Sequence, residues 1–411
     1  MSYVRGSCGR KTPYEKKYSR KNQEQEEWAM ERAAFDAASR EVNAVDSILE
    51  QLEARSAEGR QVALENLVRT LRHRTYDADQ LAACEKLLVD AVLQSVRSGG
   101  PAEATLALDA LEVLAVALGG DADLLARARE TVQALALTPA PQTLPPEQQA
   151  VVGAAVRTLG TLAFFCGDDD DVVADVVQRL DALVAVDPRA AAQPVVAAAL
   201  GAWELVHTTT DYSAAYHARA AQAAWAHLAA DRASCDTRIA AARALALAFA
   251  RVAAPGDTVD DHRDDWLPAP APERFRAVVG ECAFGTAHRK ADRAREQPLF
   301  RTLAAWMLDG DALPPETITI HGTPVAFESW TILARLATVR RVLGPGLLAH
   351  LCDNPLLPDV LQYTVPDEKK QHTSKVQKRL ERSPCSAAAK AHTQSRAKSR
   401  DQASFSFADD F

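Results

Sequence analysis

The stretch RQVALENLVRTLRHR, residues 60–74, decides the fold. Val62, Leu64, Leu67, Val68 and Leu71 recur three or four residues apart, among charged neighbours. That spacing is the apolar stripe of a 3.6-residue helix, not the alternation of a strand. The same texture extends outward in both directions. Upstream, Trp28, Phe35, Val45, Ile48 and Leu52 form one more such stripe. Downstream come LAACEKLLVDAVLQSV (81–96), EATLALDALEVLAVAL (103–118), ADLLARARETVQALAL (122–137) and PEQQAVVGAAVRTLGTLAFF (146–165). The series ends with DDDDVVADVVQRLDALVAV (168–186), PRAAAQPVVAAALGAWELV (188–206), YSAAYHARAAQAAWAHLAA (212–230) and TRIAAARALALAFARVA (237–253).

Breakers separate these segments. They include Gly99-Gly100-Pro101, Gly119-Gly120-Asp121 and the Pro-rich run from Thr138. Asp211 and Asp236 are expected to cap their helices, and Pro146 and Pro188 to sit at first helical positions. Short connections make neighbours antiparallel. Helix pairs recur about every forty residues, the spacing of HEAT or armadillo units. The expected fold is all-α, a right-handed armadillo/HEAT-like α-solenoid whose repeats bury their faces on one another. An irregular helical bundle is the alternative.

The texture changes at AAPGDTVDDHRDDWLPAPAP (253–272), which reads as an acidic, Pro-rich linker. Beyond it the reading gives a helix from Glu273 through HRKADRARE (288–296) and a second from Leu299 to Leu308. TITIHGTPVAF follows as a β-hairpin turning at His321-Gly322. SWTILARLATVRRVLG is a helix capped by Ser329 or Glu328 and ended by Gly344. PGLLAHLCDNPLLPDVL supplies one or two short helices. The expected organisation is a basic arm over 1–22, an armadillo-like domain over 23–253 and the linker over 254–272. A small C-terminal helical domain with a short β-hairpin covers 273–363, and a basic tail covers 364–411.

The 411 residues sum to a formal charge of −8, with hydrophobic residues at 47% and charged ones at 25%. The ends reverse the sign of the body. Residues 1–22 hold seven Lys/Arg against one Glu, and residues 368–400 hold ten Lys/Arg against two Glu. The middle is therefore strongly acidic. Basic ends suit a polyanion or an acidic protein surface.

Seven dispersed cysteines, without Cys-x-x-Cys spacing, argue against a disulfide framework and a structural zinc site. A reducing compartment, cytoplasm or nucleus, is expected. The opening MSYVRGSCGRKTPYEKK has no apolar core of a secretory signal. The apolar stretch from Ile239 carries Arg243 and Arg251 and is too short to span a bilayer.

Other clusters read as structural. Asp168–Asp171 opens a helix, where acidic residues favour the positive dipole end. The acidic residues around His262 have metal-ligand types but no ligand spacing. His207, His217 and His227 lie ten apart, which is not a metal-binding spacing. Glycine phosphate loops and nucleophile elbows are absent. The reading is therefore not an enzyme, with no cofactor, no metal and no small-molecule substrate. A nuclear-import adaptor is disfavoured as well. Such armadillo proteins carry ladders of asparagines beside tryptophans, whereas Trp203 and Trp225 have no asparagine nearby.

The C-terminal third carries a family texture. A basic helix runs into Phe300-Arg301, and the hairpin leads to Ser329-Trp330. Then come Val342-Leu343-Gly344-x-Gly346, His350-Leu351, Asn354 and Leu356-Leu357-x-Asp359. The tail reads Ser374-Lys375, Arg379-Leu380-Glu381-Arg382, Ala387 to Ala391 around Lys390, and Arg396-Ala397-Lys398-x-Arg400-Asp401. Together with SAEGRQVALENLVRTLRHR (56–74), this resembles the interferon-related developmental regulator family. The resemblance implies an armadillo-like N-terminal domain, a small C-terminal domain and no catalysis. It also implies a co-regulator of gene expression, acting with transcription complexes or on ribosomes that are not translating.

The resulting expectation is a scaffold that binds regulatory proteins through the solenoid and ribosome or RNA through the tail. Lys375, Lys378, Arg379, Arg382, Lys390, Arg396, Lys398 and Arg400 would neutralise phosphates and release counterions. Arg289, Lys290, Arg293 and Arg295 would extend the contact. No aromatic stands among the tail cations, so sequence-specific single-strand reading is not expected. The alternative is a nuclear transcriptional co-regulator whose tail is a localisation signal. No membrane contact is expected.

Overall fold

The structure, a computed structural model, describes residues 45, 47–76, 81, 84–210, 212–230, 233–252, 276–277 and 290–366. The basic arm, the Trp28–Phe35 stripe, the linker, Arg289 and the tail cations lie outside those residues. Among the described residues, 47–52 are helical, and nine helices with described bounds follow: α1 (Ala57–His73), α2 (Glu85–Ser98), α3 (Pro101–Ala117), α4 (Ala122–Ala136), α5 (Pro146–Cys166), α6 (Asp170–Val184), α7 (Gln193–Val206), α8 (Ala214–Leu228) and α9 (Cys235–Val252). After them stand α10 (Lys290–Leu308), strands β1 (Glu316–Ile320) and β2 (Thr323–Phe327), α11 (Trp330–Leu343), α12 (Leu347–Asp353) and α13 (Leu356–Leu361).

The helical stripe is as read, with one exception. Leu64, Leu67 and Leu71 are fully buried, and Val68 nearly so, whereas Val62 is 53% exposed. Ser56 begins α1, its hydroxyl accepting from the Gly59 N–H at 3.1 Å. Asp169 does the same for Asp171 at the start of α6, at 2.9 Å. Two expected start signals move. Asp236 lies inside the first turn of α9, and the Ser234 hydroxyl takes the Thr237 N–H instead. Pro188 sits in a turn, and Pro194 occupies the first turn of α7. Asp211 lies outside the described residues, and Ser213 caps α8.

The helices form two layers. Odd-numbered helices pack in succession, α1 on α3, α3 on α5, α5 on α7 and α7 on α9, while α2, α4, α6 and α8 back them. This is an all-α solenoid. Side-chain bonds repeat its period. Arg60 reaches Glu103 over 43 residues, Thr158 reaches Glu112 over 46, and Arg251 reaches the His207 carbonyl over 44. Helix α5 is long and apolar enough to cross a membrane, but 78% of its most apolar window is buried inside the protein. It is the central helix of the odd layer, touching α3, α4, α6 and α7.

The C-terminal elements do not stand apart. Described residues up to Ile320 and from Pro324 to Val365 cluster into one compact unit. The sequence reading breaks the helix between 296 and 299. Instead α10 runs unbroken from Lys290 to Leu308 with Pro298 inside it, so Pro298 removes one N–H without ending the helix. Trp306 of α10 meets Phe249 of α9 edge-on at 5.0 Å and stacks on Trp330 at 5.8 Å. The hairpin forms as read. Ile320 and Phe327 point into the core, and His321 and Gly322, both at positive φ, make the turn. Ser329 caps α11, and Gly344, at φ 51°, ends it.

Packing within the odd layer leaves measurable marks on two glycines. A Cβ on Gly160 would lie 2.5 Å from the Ala202 Cβ, so α5 and α7 approach through a missing side chain. Gly201 faces open space. Gly160→Val is therefore expected to cost ~1–3 kcal/mol by overpacking. Gly201→Ala is expected to gain up to ~1 kcal/mol from helix propensity. Urea unfolding of the two variants checks the contrast.

Candidate functional site

The odd-helix layer is continuous from α1 to α9. Here the chain covers it with its own α11 and α12. Helix α11 packs on α1, α3, α7 and α9, and α12 packs on α1.

Buried carboxylates make this docking specific. Glu103, Glu112 and Glu204 sit in the odd layer at 4% exposure or less. Such groups need partners. Arg60 answers Glu103 through two bonds, at 2.6 and 3.0 Å. Arg341 of α11 answers Glu112, whose other oxygen accepts from the Thr158 hydroxyl at 3.2 Å. Glu204 takes Arg243 at 2.9 Å and the Trp330 indole N–H at 3.2 Å. Burial holds the Glu204 carboxyl above its ordinary pKa despite Arg243. The Arg243 guanidinium also lies over the Trp330 ring at 5.4 Å.

Arg335 is the most enclosed cation of α11. Its Nε donates to the Thr208 hydroxyl at 3.0 Å, Nη2 to the Thr208 carbonyl at 2.8 Å and Nη1 to the Val360 carbonyl at 3.0 Å. Burial lowers its pKa. Thus α11, the end of α7 and α13 are tied by one side chain.

At the other end, α1 meets the turn after α11. The Arg72 Nε donates to the Val342 carbonyl at 2.7 Å. The His350 Nε2–H donates to the Leu71 carbonyl at 3.0 Å, which leaves Nδ1 to accept from the Asn354 amide. That amide also donates to the Val116 carbonyl at 3.1 Å. Burial pushes the His350 pKa down, consistent with a neutral imidazole. Gly346 permits the approach, since a Cβ there would lie 1.5 Å from the Arg72 carbonyl oxygen.

A cleft of about 220 Å³ remains between α5, α7, α9 and α11, lined among others by Arg157, Gly201, Glu204, Arg243 and Arg341. Its arginines face carboxylates, with Asp109 3.8 Å from Arg157. The cleft is therefore close to charge-balanced. Among the described residues no group of His, Cys, Asp and Glu could hold a metal ion. His207, His217 and His227 are core residues, each at most 1% exposed.

Of the cations proposed from the sequence, Lys290, Arg293 and Arg295 are described, and all stand on the first turns of α10. Lys290 is exposed and Arg293 half-buried. Arg295 is paired with Asp236 at 2.6 Å. Arg289 and the eight tail cations lie outside the described residues. Trp330, Gly346, His350 and Asn354 stood in the family pattern without a contact assigned to them, whereas Glu112, Glu204, Arg335 and Arg341 were missed. The signal for the two glutamates was their place inside apolar stripes, as in EATLALDALEVLAVAL.

Two family models match the chain. The interferon-related developmental regulator model covers residues 12–276, and the interferon-related protein conserved region covers 354–404. The chain belongs to the interferon-related developmental regulator family. The second match opens on Asn354, the residue that bonds the Val116 carbonyl. A relative, Interferon-related developmental regulator 1 of Mus musculus, is 32% identical over 176 residues. That match takes in 41% of this chain and 37% of the relative, so well under half of the relative's length is spanned. A solved structure, the designed armadillo repeat protein YIII(Dq)4CqI, matches at 14% identity and a TM-score of 0.35, over 63% of this chain and 98% of its own.

Replacing Arg341 by Met leaves Glu112 buried without its cation. The variant is expected to lose ~1–3 kcal/mol. Adding Glu112→Gln, which keeps an acceptor for Thr158, is expected to restore most of it. A thermal-unfolding cycle of the two singles and the double checks this. Additive losses would mean that the pair is not coupled.

Proposed function

We propose that this member of the interferon-related developmental regulator family is a non-catalytic regulator of gene expression that engages RNA, as part of the ribosome, through its basic tail. Family membership supports the broad role in gene expression. The observation that carries the finer reading is the docking of α11 and α12. With the odd layer covered by the chain itself, contact falls to the backing helices α2, α4, α6 and α8 and to the segments beyond the compact unit. Of those segments, residues 368–400 hold ten Lys/Arg against two Glu, and the body is acidic.

Spaced cations without aromatics favour backbone contact over base reading. Lys375, Lys378, Arg379, Arg382, Lys390, Arg396, Lys398 and Arg400 are the proposed phosphate contacts, with Arg289, Lys290 and Arg293 as an extension. Arg295 contributes less, because Asp236 already neutralises it. Regulatory proteins would bind the backing helices.

The test is sedimentation of tagged full-length and Δ374–411 protein with ribosomes through a sucrose gradient. Full-length protein is expected to co-sediment at low salt, to release as salt rises, and to lose co-sedimentation on deletion. Full-length protein left at the top at low salt would overturn the ribosome reading. Deletion that leaves co-sedimentation intact but moves the protein from nucleus to cytoplasm would favour a localisation signal instead.

A further inference from the structure

Between α6, α7 and α8 lies a chain of hydrogen bonds, buried at Trp203 and His207 and half-buried at Asp181 and Tyr216, that the docking does not use. The Trp203 indole N–H donates to Asp181 at 3.0 Å. The Tyr216 hydroxyl lies 2.7 and 2.8 Å from the two Asp181 oxygens. The His207 Nε2 lies 2.7 Å from that hydroxyl, and its Nδ1 lies 2.9 Å from the Trp203 carbonyl. The rings are stacked, Trp203 on His207 at 4.1 Å and His207 on Tyr216 at 5.4 Å, so the imidazole is held in place.

These contacts demand a definite number of protons. A carbonyl only accepts, so Nδ1 must carry hydrogen to bond Trp203. If His207 is neutral, Nε2 is then an acceptor and needs the Tyr216 hydroxyl proton. The hydroxyl has one proton, and an ionised Asp181 needs the same one. With Asp181 ionised and His207 neutral, one short contact is left between two lone pairs, in a part-buried site where that costs more than in water. One more proton removes the conflict. On Asp181, it lets the carboxyl donate to Tyr216, Tyr216 donate to Nε2, and Nδ1 donate to Trp203. On His207, it would make both ring nitrogens donors.

We propose that Asp181 and His207 together hold one extra proton at neutral pH, carried on the Asp181 carboxyl, so that the joint of α6, α7 and α8 is proton-linked. Groups from α8 and α9 disfavour an imidazolium at His207. His217 and Tyr212 flank the imidazole, from α8 and the turn before it. Arg251 of α9 donates to the His207 carbonyl at 2.8 Å, so an imidazolium would face a guanidinium. Burial raises the Asp181 carboxyl above its ordinary pKa, and the bonds from Tyr216 and Trp203, then Arg219 of α8, oppose it without reversing it. Burial, helped by His217 and Arg251, holds the His207 pKa down at about 3. The joint also adjoins the docking site, since Thr208 follows His207 and takes two bonds from Arg335.

The carboxyl pKa is raised in the folded chain from an unfolded value of about 3.9. Its stabilisation is full below that value and is lost as pH rises toward the folded pKa. Asp181→Asn reproduces the protonated carboxyl, with an acceptor for Trp203 and an N–H donor for Tyr216, and cannot titrate. Urea unfolding of both full chains from about pH 5 to about pH 7 tests this, because every other group cancels in the ratio of folding constants. That ratio, native over variant, is expected to fall about tenfold per pH unit. A ratio independent of pH would overturn the proposal. Imidazole ¹⁵N spectra of the unaltered chain give a second readout. A neutral His207 protonated on Nδ1 at about pH 7 is expected, and either an Nε2–H tautomer or an imidazolium would overturn it.

Discussion

The contact between Glu112 and Arg341 is the constraint on which the rest of the structure depends. Glu112 stands in the apolar face of α3, at 2% exposure, where an unpaired carboxylate is not tolerated. Its cation comes from α11, 229 residues away in the chain. The repeats alone would leave this charge without its arginine. The C-terminal segment completes the odd layer, and the odd layer gives that segment its place. Arg335, Arg72, His350 and Asn354 repeat the same logic at other points of the interface, each meeting a backbone carbonyl.

This arrangement changes what the solenoid can do. An open armadillo layer offers backbone and side-chain partners to an incoming peptide. Here Trp330, Arg335 and Arg341 of α11 and His350 of α12 already bond polar groups of that layer. The cleft that remains is small and has its arginines matched to carboxylates. The strong sign reversal between an acidic body and a basic terminal segment then becomes the dominant long-range feature of the chain.

The helical layers were legible because they rest on local chemistry. Leu64, Leu67 and Leu71 state their own periodicity, Ser329 and Gly344 bracket α11, and the hairpin turns at His321-Gly322 as its residue types require. Misreadings were local as well. Pro188 yielded its expected place to Pro194, and Pro298 failed to end a helix whose later turns are held by Phe300, Leu303 and Met307 in the core. The docking was not legible. Glu112 and Arg341 are each ordinary in their own segments, and only the fold makes them partners. Gly346 could be read as part of a family pattern, yet the reason for it, the Arg72 carbonyl, lies in α1. The Asp181–Tyr216–His207 chain shows the same limit, because its residues come from α6, α8 and the C-terminal cap of α7.

The central claim is that the segment from Lys290 to Val365 is an integral part of the solenoid rather than a separate domain. It is tested most directly by placing a protease site within residues 254–272 of the full chain, cutting there, and sizing the products under native conditions. The account predicts that the two pieces elute together as one species of unchanged size. Elution as two separate species, each folded by circular dichroism, would contradict it.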